Sequence, residues 1–304
     1  MATLAERART QPLGRARGGE RSPRAVVFLL ALWLCLFTGL VFLLVLIAQV
    51  LIEGWPRLDA NLVTNYTSLL FPERAGFRAA ILGTVWVIGF TALLAIPLGV
   101  AAAIYLEEFA DNDQWYTRLI EVNIQNLAAV PTIIYGLLTL GILSLMQLVL
   151  DFQNRNIVIG GAIALALLIL PVIIIATRES LRSVPAEIRA GSLALGATPW
   201  QTVWRQTLPA AVPGIATGTI IALSRAIGEA APLLLLGAVV FVRYDPSGLL
   251  SGFTTMPVQI YSLVAQPQEE LRVTASAGIV LLLGLLLLMN AVAILIRNKF
   301  HRRW

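Results

Sequence analysis

Arg225 and Glu229 stand four positions apart in a stretch that is otherwise apolar. A guanidinium keeps its charge at any working pH and presents five donors in a planar fork, a shape that suits carboxylate and phosphate oxygens. At i and i+4 the two side chains can meet on one helical face. The chemistry this permits is anion recognition and charge pairing. Lys299 is the only lysine, His301 the only histidine and Cys35 the only cysteine, which lies in an apolar run. That inventory excludes phosphate loops of the Walker type, Schiff-base lysines, histidine metal sites and serine–histidine triads within this chain.

The elements that must hold Arg225 and Glu229 are membrane helices. Of 304 residues, 58% are hydrophobic and 13% charged, about half the charged share of a soluble domain. Charge-free stretches cover 25–52, 79–106, 122–150, 156–177, 206–224 and 273–296, each near or above the roughly 20 residues that cross a bilayer core. The fifth resumes after Glu229 over 230–242. No ten-residue segments alternate in polarity as a barrel requires. The reading is an all-α membrane protein of six transmembrane helices, with the fifth long and interrupted. Pro97, Pro131 and Pro171 fall within spans two, three and four and are expected to kink them.

Lys and Arg near span ends set orientation. The first 24 residues carry Arg7, Arg9, Arg15, Arg17, Arg21 and Arg24, and the end carries Arg297, Lys299, Arg302 and Arg303. Both termini are therefore expected in the cytoplasm. Arg178, Arg182, Arg189 and Arg205 give the loop between spans four and five the same side, and Arg178 is expected to snorkel to headgroups. Loops at 53–78, 151–155 and 243–272 fit the outside. Glu107, Glu108, Asp111, Asp113 and Glu121 make one inside loop acidic, against the trend. Span one exceeds the apolar core of a signal peptide and is expected to stay uncleaved. The layout is a basic tail (1–24), a first helix (25–52), a membrane core (77–298) containing the cytoplasmic loop 183–209, and a basic tail (299–304).

That loop is too polar to span and too patterned to be slack. Pro185 suits the first turn of a helix, and Gly196 can supply the left-handed residue that ends it. Thr198, Pro199 and Gln201 form a capping-box pattern for a second helix. Two short helices with a sharp break are predicted. Leu193, Ala197, Trp200 and Trp204 approximate one apolar face, which either lies on lipid headgroups or docks into a partner.

Ala190-Gly191-Ser192-Leu193-Ala194-Leu195-Gly196, followed by Leu208-Pro209, resembles the permease loop of bacterial ATP-binding-cassette importers. That motif reads Glu-Ala-Ala, three residues, Gly, nine residues, Ile, one residue, Leu-Pro. The spacing matches. Ala190 replaces the motif's Glu, Gly191 and Ser192 its alanines, and Gln206 its Ile. Glu187, three residues earlier, is placed to supply a carboxylate. Residues 222–234, from Ala222 through Arg225, Gly228 and Glu229 to Leu234, are similar to the phosphate-specific branch of that family, at its second permease.

The resemblance implies a type I (MetI-like) importer permease in a bacterial inner membrane, non-catalytic, forming half of a phosphate path. It implies partners: a homologous second permease, an ATPase dimer holding ATP and Mg, an extracytoplasmic phosphate-binding protein and the bilayer, with no nucleic acid and no cofactor or metal in this chain. It places Glu187, Ala190, Gly191, Ser192, Gly196, Trp200, Trp204, Leu208 and Pro209 in the ATPase-coupling loop, and Arg225 and Glu229 on the substrate path. Two other readings compete: a permease for sulfate or molybdate, and a stand-alone ion-coupled carrier using the Arg225–Glu229 pair.

Overall fold

A computed structural model describes residues 23–111, 113–149, 155–238 and 241–300, and these are helical with no strands among them. The tail before residue 23, loop residues 151–154 and the last four residues, all given roles above, lie outside the described residues.

The chain divides into two compact units, residues 1–49 and 50–304. The first unit's described part is residues 23–49 of α1 (Pro23–Gly54), a helix whose 32 residues rise about 48 Å. It is apolar on every side, as a membrane span surrounded by lipid must be.

The second unit, which includes the short α2 (Ala60–Thr64), is built around α6 (Val158–Arg182), which buries residues on all faces, including Leu165, Ile169 and Ile173. α3 (Arg78–Ile104) lies along it, with Gly99 seated against Ile173 and Thr91 Oγ1 donating to the Ala162 carbonyl at 3.3 Å. α9 (Leu208–Ile227) lies on another side of α6, Gly214 facing Ser180 and Gly218 facing Ala176. α12 (Glu269–Phe300) packs against α9. Pro97 and Pro171 sit inside α3 and α6 without ending either helix.

Among the described residues five helices are long and apolar enough to span, or six where a bent pair counts as one span. That pair corrects the sequence reading of 122–150 as one segment. α4 (Trp115–Ala128) and α5 (Thr132–Gln147) meet at 110°. Pro131 causes this: it lacks an N–H and drives the residue before it out of the α region, so it opens α5 instead of kinking a longer helix. Residues 122–128 belong to α4, whose buried Thr117 and partly buried Glu121 turn away from its exposed apolar side chains.

The outer segments also depart from expectation. The fifth stretch resumes only as α10 (Ala231–Leu235), ending at the positive-φ Gly237, not as a run to residue 242. Residues 243–272, read as a plain loop, contain α11 (Met256–Val264), buried along most of its length between α3 and α12. Met256 N–H donates to Thr84 Oγ1 at 3.0 Å. The carbonyls of Ser251 and Leu249 accept from the N–H groups of Val158 and Ile159, satisfying two donors that a helix start leaves open.

The acidic segment 107–121 and the basic segment 178–189 lie at one end of the unit, because their charges pair. After α3, residues Tyr105–Phe109 form a π-helical turn. Glu107 takes Arg178 at 3.1 Å and Arg182 at 2.7 Å, Glu121 also binds Arg178, and Glu108 takes Arg189 at 2.7 Å. The Arg178 side chain is 11% exposed. It is held by two carboxylates within the protein, which corrects the expectation that it snorkels to headgroups.

At the opposite end of α3, Arg78 grips both oxygens of Asp245, with contacts of 2.7 and 3.2 Å. Hydrogen bonding from Arg78 holds the Asp245 carboxyl below its ordinary value. A depressed folded-state value means the pair's contribution is present above the unfolded carboxyl's titration and is lost as pH falls through the depressed one. Unfolding midpoints of wild type and Asp245→Asn should therefore differ near neutral pH and converge in strong acid; a gap that persists there would contradict the assignment.

Candidate functional site

Two regions carry the residues singled out in the sequence, and α9 joins them end to end. From Leu208 to Arg225 the helix rises about 26 Å.

At the far end, α9 stops at Gly228. The N–H groups of Gly228 and Glu229 reach back three residues, to the carbonyls of Arg225 and Ala226, both at 3.2 Å. This tightening closes the helix, and Pro232 in the first turn of α10 keeps the chain from resuming in register. Arg225 thus lies in the last turn, where the partial negative charge of the helix end favours a cation. Glu229 lies on the turn outside the helix.

Arg225 Nε and Glu229 Oε1 are 3.9 Å apart, an ion pair with no hydrogen bond. The Arg225 side chain is 47% exposed and makes no hydrogen bond among the described residues, while Glu229 is 20% exposed. The guanidinium fork is therefore open to an outside acceptor. Pro232 packs on Gly136 of α5, where an added Cβ would sit 2.8 Å from the Pro232 carbonyl oxygen, so the break rests on a close helix contact.

Sequence reasoning missed the polar groups where α9 meets α12. Ser224 Oγ lies 2.7 Å from Asn290 Oδ1, and Arg297 Nη1 donates to Thr217 Oγ1 at 3.1 Å. Together with Ile220 and Ile294 they line a groove of about 320 Å³ between α9 and α12. The signal was legible: Asn290 is the only amide in the stretch 273–296.

At the near end the loop folds as two helical pieces. α7 (Ala186–Ala194) follows Pro185, which sits one position before the helix, not inside its first turn. Gly196 takes φ +85°, and the N–H groups of Gly196 and Ala197 bond to the carbonyls of Leu193 and Ser192 at 2.9 and 3.2 Å. This is a Schellman ending, open to glycine because it has no Cβ. α8 (Pro199–Thr202) starts with the expected capping box: Gln201 N–H to Thr198 Oγ1 at 3.2 Å and Thr198 N–H to Gln201 Oε1 at 2.9 Å.

α8 is not a separate helix. It runs through a π-helical turn, Val203–Thr207, into α9, so Pro199–Ile227 is one helical rod. Leu208 N–H reaches five residues back to Val203, and Pro209 has no N–H to continue an α ladder there.

The Trp200 and Trp204 rings lie 5.4 Å apart, centroid to centroid, tilted by 56°, and both are exposed. Phe109, from the π turn after α3, extends the cluster 5.8 Å from Trp200; sequence reading had no means to find it. Leu193 is exposed and Leu195 is 91% exposed, while Ala197 is only partly so. Glu187, Gly191, Ser192 and Gln201 line an open groove of about 410 Å³. Glu187 and Ala190 are exposed, Glu187 without a partner among the described residues. Leu208 is half-buried and Pro209 exposed. The two regions share α9 but do not touch.

Thr198→Ala removes a cap worth about 1 kcal/mol. Amide exchange at Gln201 should accelerate roughly fivefold in that variant, and an unchanged rate would mean the capping box contributes nothing.

The description "Binding-protein-dependent transport system inner membrane component" belongs to the family model that matches residues 95–304. The phosphate transport system permease protein PstA 1 of Mycobacterium tuberculosis (strain CDC 1551) is 34% identical over 280 residues, covering 88% of each chain. The probable ABC transporter permease protein YqgI of Bacillus subtilis is 33% identical over 228 residues, 75% of this chain and 74% of that one. Among solved structures, a bacterial ABC transporter involved in import of the polysaccharide alginate superposes with TM-score 0.62 at 15% identity, over 93% of this chain and 100% of that chain. An inward-facing MetNI methionine ABC transporter does so with TM-score 0.54 at 20% identity, over 72% and 92%. Those likenesses fix the fold. With the family match spanning most of the sequence, the chain belongs to the binding-protein-dependent transport system inner membrane components.

Proposed function

We propose that this multi-pass membrane protein is the permease subunit of an ATP-driven inorganic phosphate importer, with Arg225 on the phosphate path. One observation carries the reading: α9 bears the exposed Trp200–Trp204 turn at one end and an unbonded, half-exposed guanidinium at the other. An arginine inside a membrane is costly unless it faces a cavity or a partner. A phosphate at that fork would gain charge-assisted hydrogen bonds. Glu229, at 3.9 Å, is placed to satisfy the cation when the anion leaves. The phosphate permeases among the relatives support the choice of oxyanion.

The chain hydrolyses nothing itself under this reading. Loop 183–209 within the core 77–298 docks on an ATPase dimer that holds ATP and Mg. A homologous second permease completes the path, and an extracytoplasmic binding protein delivers phosphate. Both termini and the loop face the cytoplasm, in keeping with their arginines. Gly191 is compatible with docking: a Cβ there would meet nothing among the described residues, so that face is open to a neighbour.

The test is labelled phosphate uptake in cells lacking their own importer, supplied with this chain, its second permease, ATPase and binding protein. Arg225→Gln, checked for expression, should lower uptake roughly ten- to hundredfold, as expected for losing a charged hydrogen-bonding partner. Sulfate and molybdate should not compete. Uptake that continues without the ATPase, or an unaffected variant, would overturn the proposal.

A further inference from the structure

The docking helix α7 is a poor candidate for transmitting force by packing. None of its residues is buried. Ile188 packs partly against Ile104, Leu181, Val184, Val203 and Ala211, and Ser192 Oγ meets Thr202 Oγ1 of α8 at 2.9 Å. Beyond these and the short covalent link from α6, the tie is Arg189, which uses all three guanidinium nitrogens. Nε lies 3.3 Å from both Glu108 oxygens, and Nη2 is 2.7 Å from Oε1. Nη2 also reaches the Leu181 carbonyl, and Nη1 the Val184 carbonyl, each at 2.8 Å.

These partners come from different elements. Leu181 lies in the last turn of α6, where carbonyls lack helical donors, and Val184 in the link between α6 and α7. Glu108 lies in the π turn that ends the α3 rod, and its side chain is only 8% exposed. A carboxylate so enclosed must be paired, which leaves it little freedom to exchange Arg189 for water. Its neighbour Glu107 holds Arg178 and Arg182 of α6. A pull on α7 is therefore passed through one fork to α3 and α6 together.

We infer that Arg189 and Glu108 are positioning residues, the pin by which movement of the docking helix reaches the membrane helices. The inference rests on the importer reading, but the pin itself can be tested apart from transport. Lysine cannot substitute, since a point charge cannot hold a carboxylate and two carbonyls in one plane.

Two measurements test it. Amide hydrogen exchange on the purified full chain reads the pin directly: Arg189→Ala should raise exchange across 186–194 severalfold and leave the middle of α6 unchanged. No change at 186–194 would overturn the pin. Reconstituted with its three partners in vesicles, the Arg189→Ala complex should still assemble and hydrolyse ATP. Phosphate imported per ATP should fall roughly three- to thirtyfold, the usual range for residues that carry coupling. Arg189→Lys should fall similarly. The exchanged pair Glu108→Arg with Arg189→Glu should recover more of the ratio than either single change, though not all, because a carboxylate cannot donate to the Leu181 and Val184 carbonyls.

Normal coupling in Arg189→Ala, or an exchanged pair no better than the single variants, would overturn the transmitting role. A wild-type complex that hydrolyses ATP without importing phosphate would sink the importer reading, and the exchange result would still decide the pin.

Discussion

Three arginines and three glutamates must satisfy one another at one end of the helical unit, and the rest of the arrangement follows from that. Arg178 and Glu108 are largely enclosed, where an unpaired charge would cost several kcal/mol. Arg178, near the end of α6, is paired from the π turn after α3 and from α4, and Glu108 is paired from α7. Pairing fixes how these elements meet. It also removes the apparent conflict of an acidic loop on a basic side: the acids at 107–121 answer the arginines at 178–189 instead of standing against the membrane rule.

The second constraint is carried along α9. The rod Pro199–Ile227 carries the Trp200–Trp204 pair at its first turns, Trp204 within the π turn Val203–Thr207, and Arg225 just before its stop at Gly228. Neither region needs the other for its local geometry. What relates them is a continuous helix about 26 Å long between Leu208 and Arg225, with Pro213 inside it.

Much of this was legible from residue types. Charge-free runs located the spans, since charges in hydrocarbon are selected against by energy alone. Gly196, Thr198 and Gln201 announced the turn because helix ends need specific donors and acceptors, which are local facts. Arg225 and Glu229 stood out as charges in an apolar setting. Other features depend on distant partners and left weaker traces. Hydropathy cannot see that Pro131 turns a charge-free run through 110°, because the same count fits a straight span. α11 looked like a loop because Met256–Val264 is short, and its burial comes from α3 and α12. Phe109 joins Trp200 only through tertiary contact. Ala190, in place of the motif's Glu, is exposed and carries no side-chain partner among the described residues.

The contact of α9 with α6 has a consequence of its own. Gly214 and Gly218 let α9 approach Ser180 and Ala176 so closely that side chains larger than these do not fit. Lipid tails are as apolar as leucine, so water release gives helices no reason to associate inside a bilayer. What remains is the short-range attraction of closely fitted surfaces, which fades within a fraction of an ångström of separation. A joint made this way holds without salt, pH or temperature-dependent hydration of apolar groups, and its strength is written in what the glycines leave out.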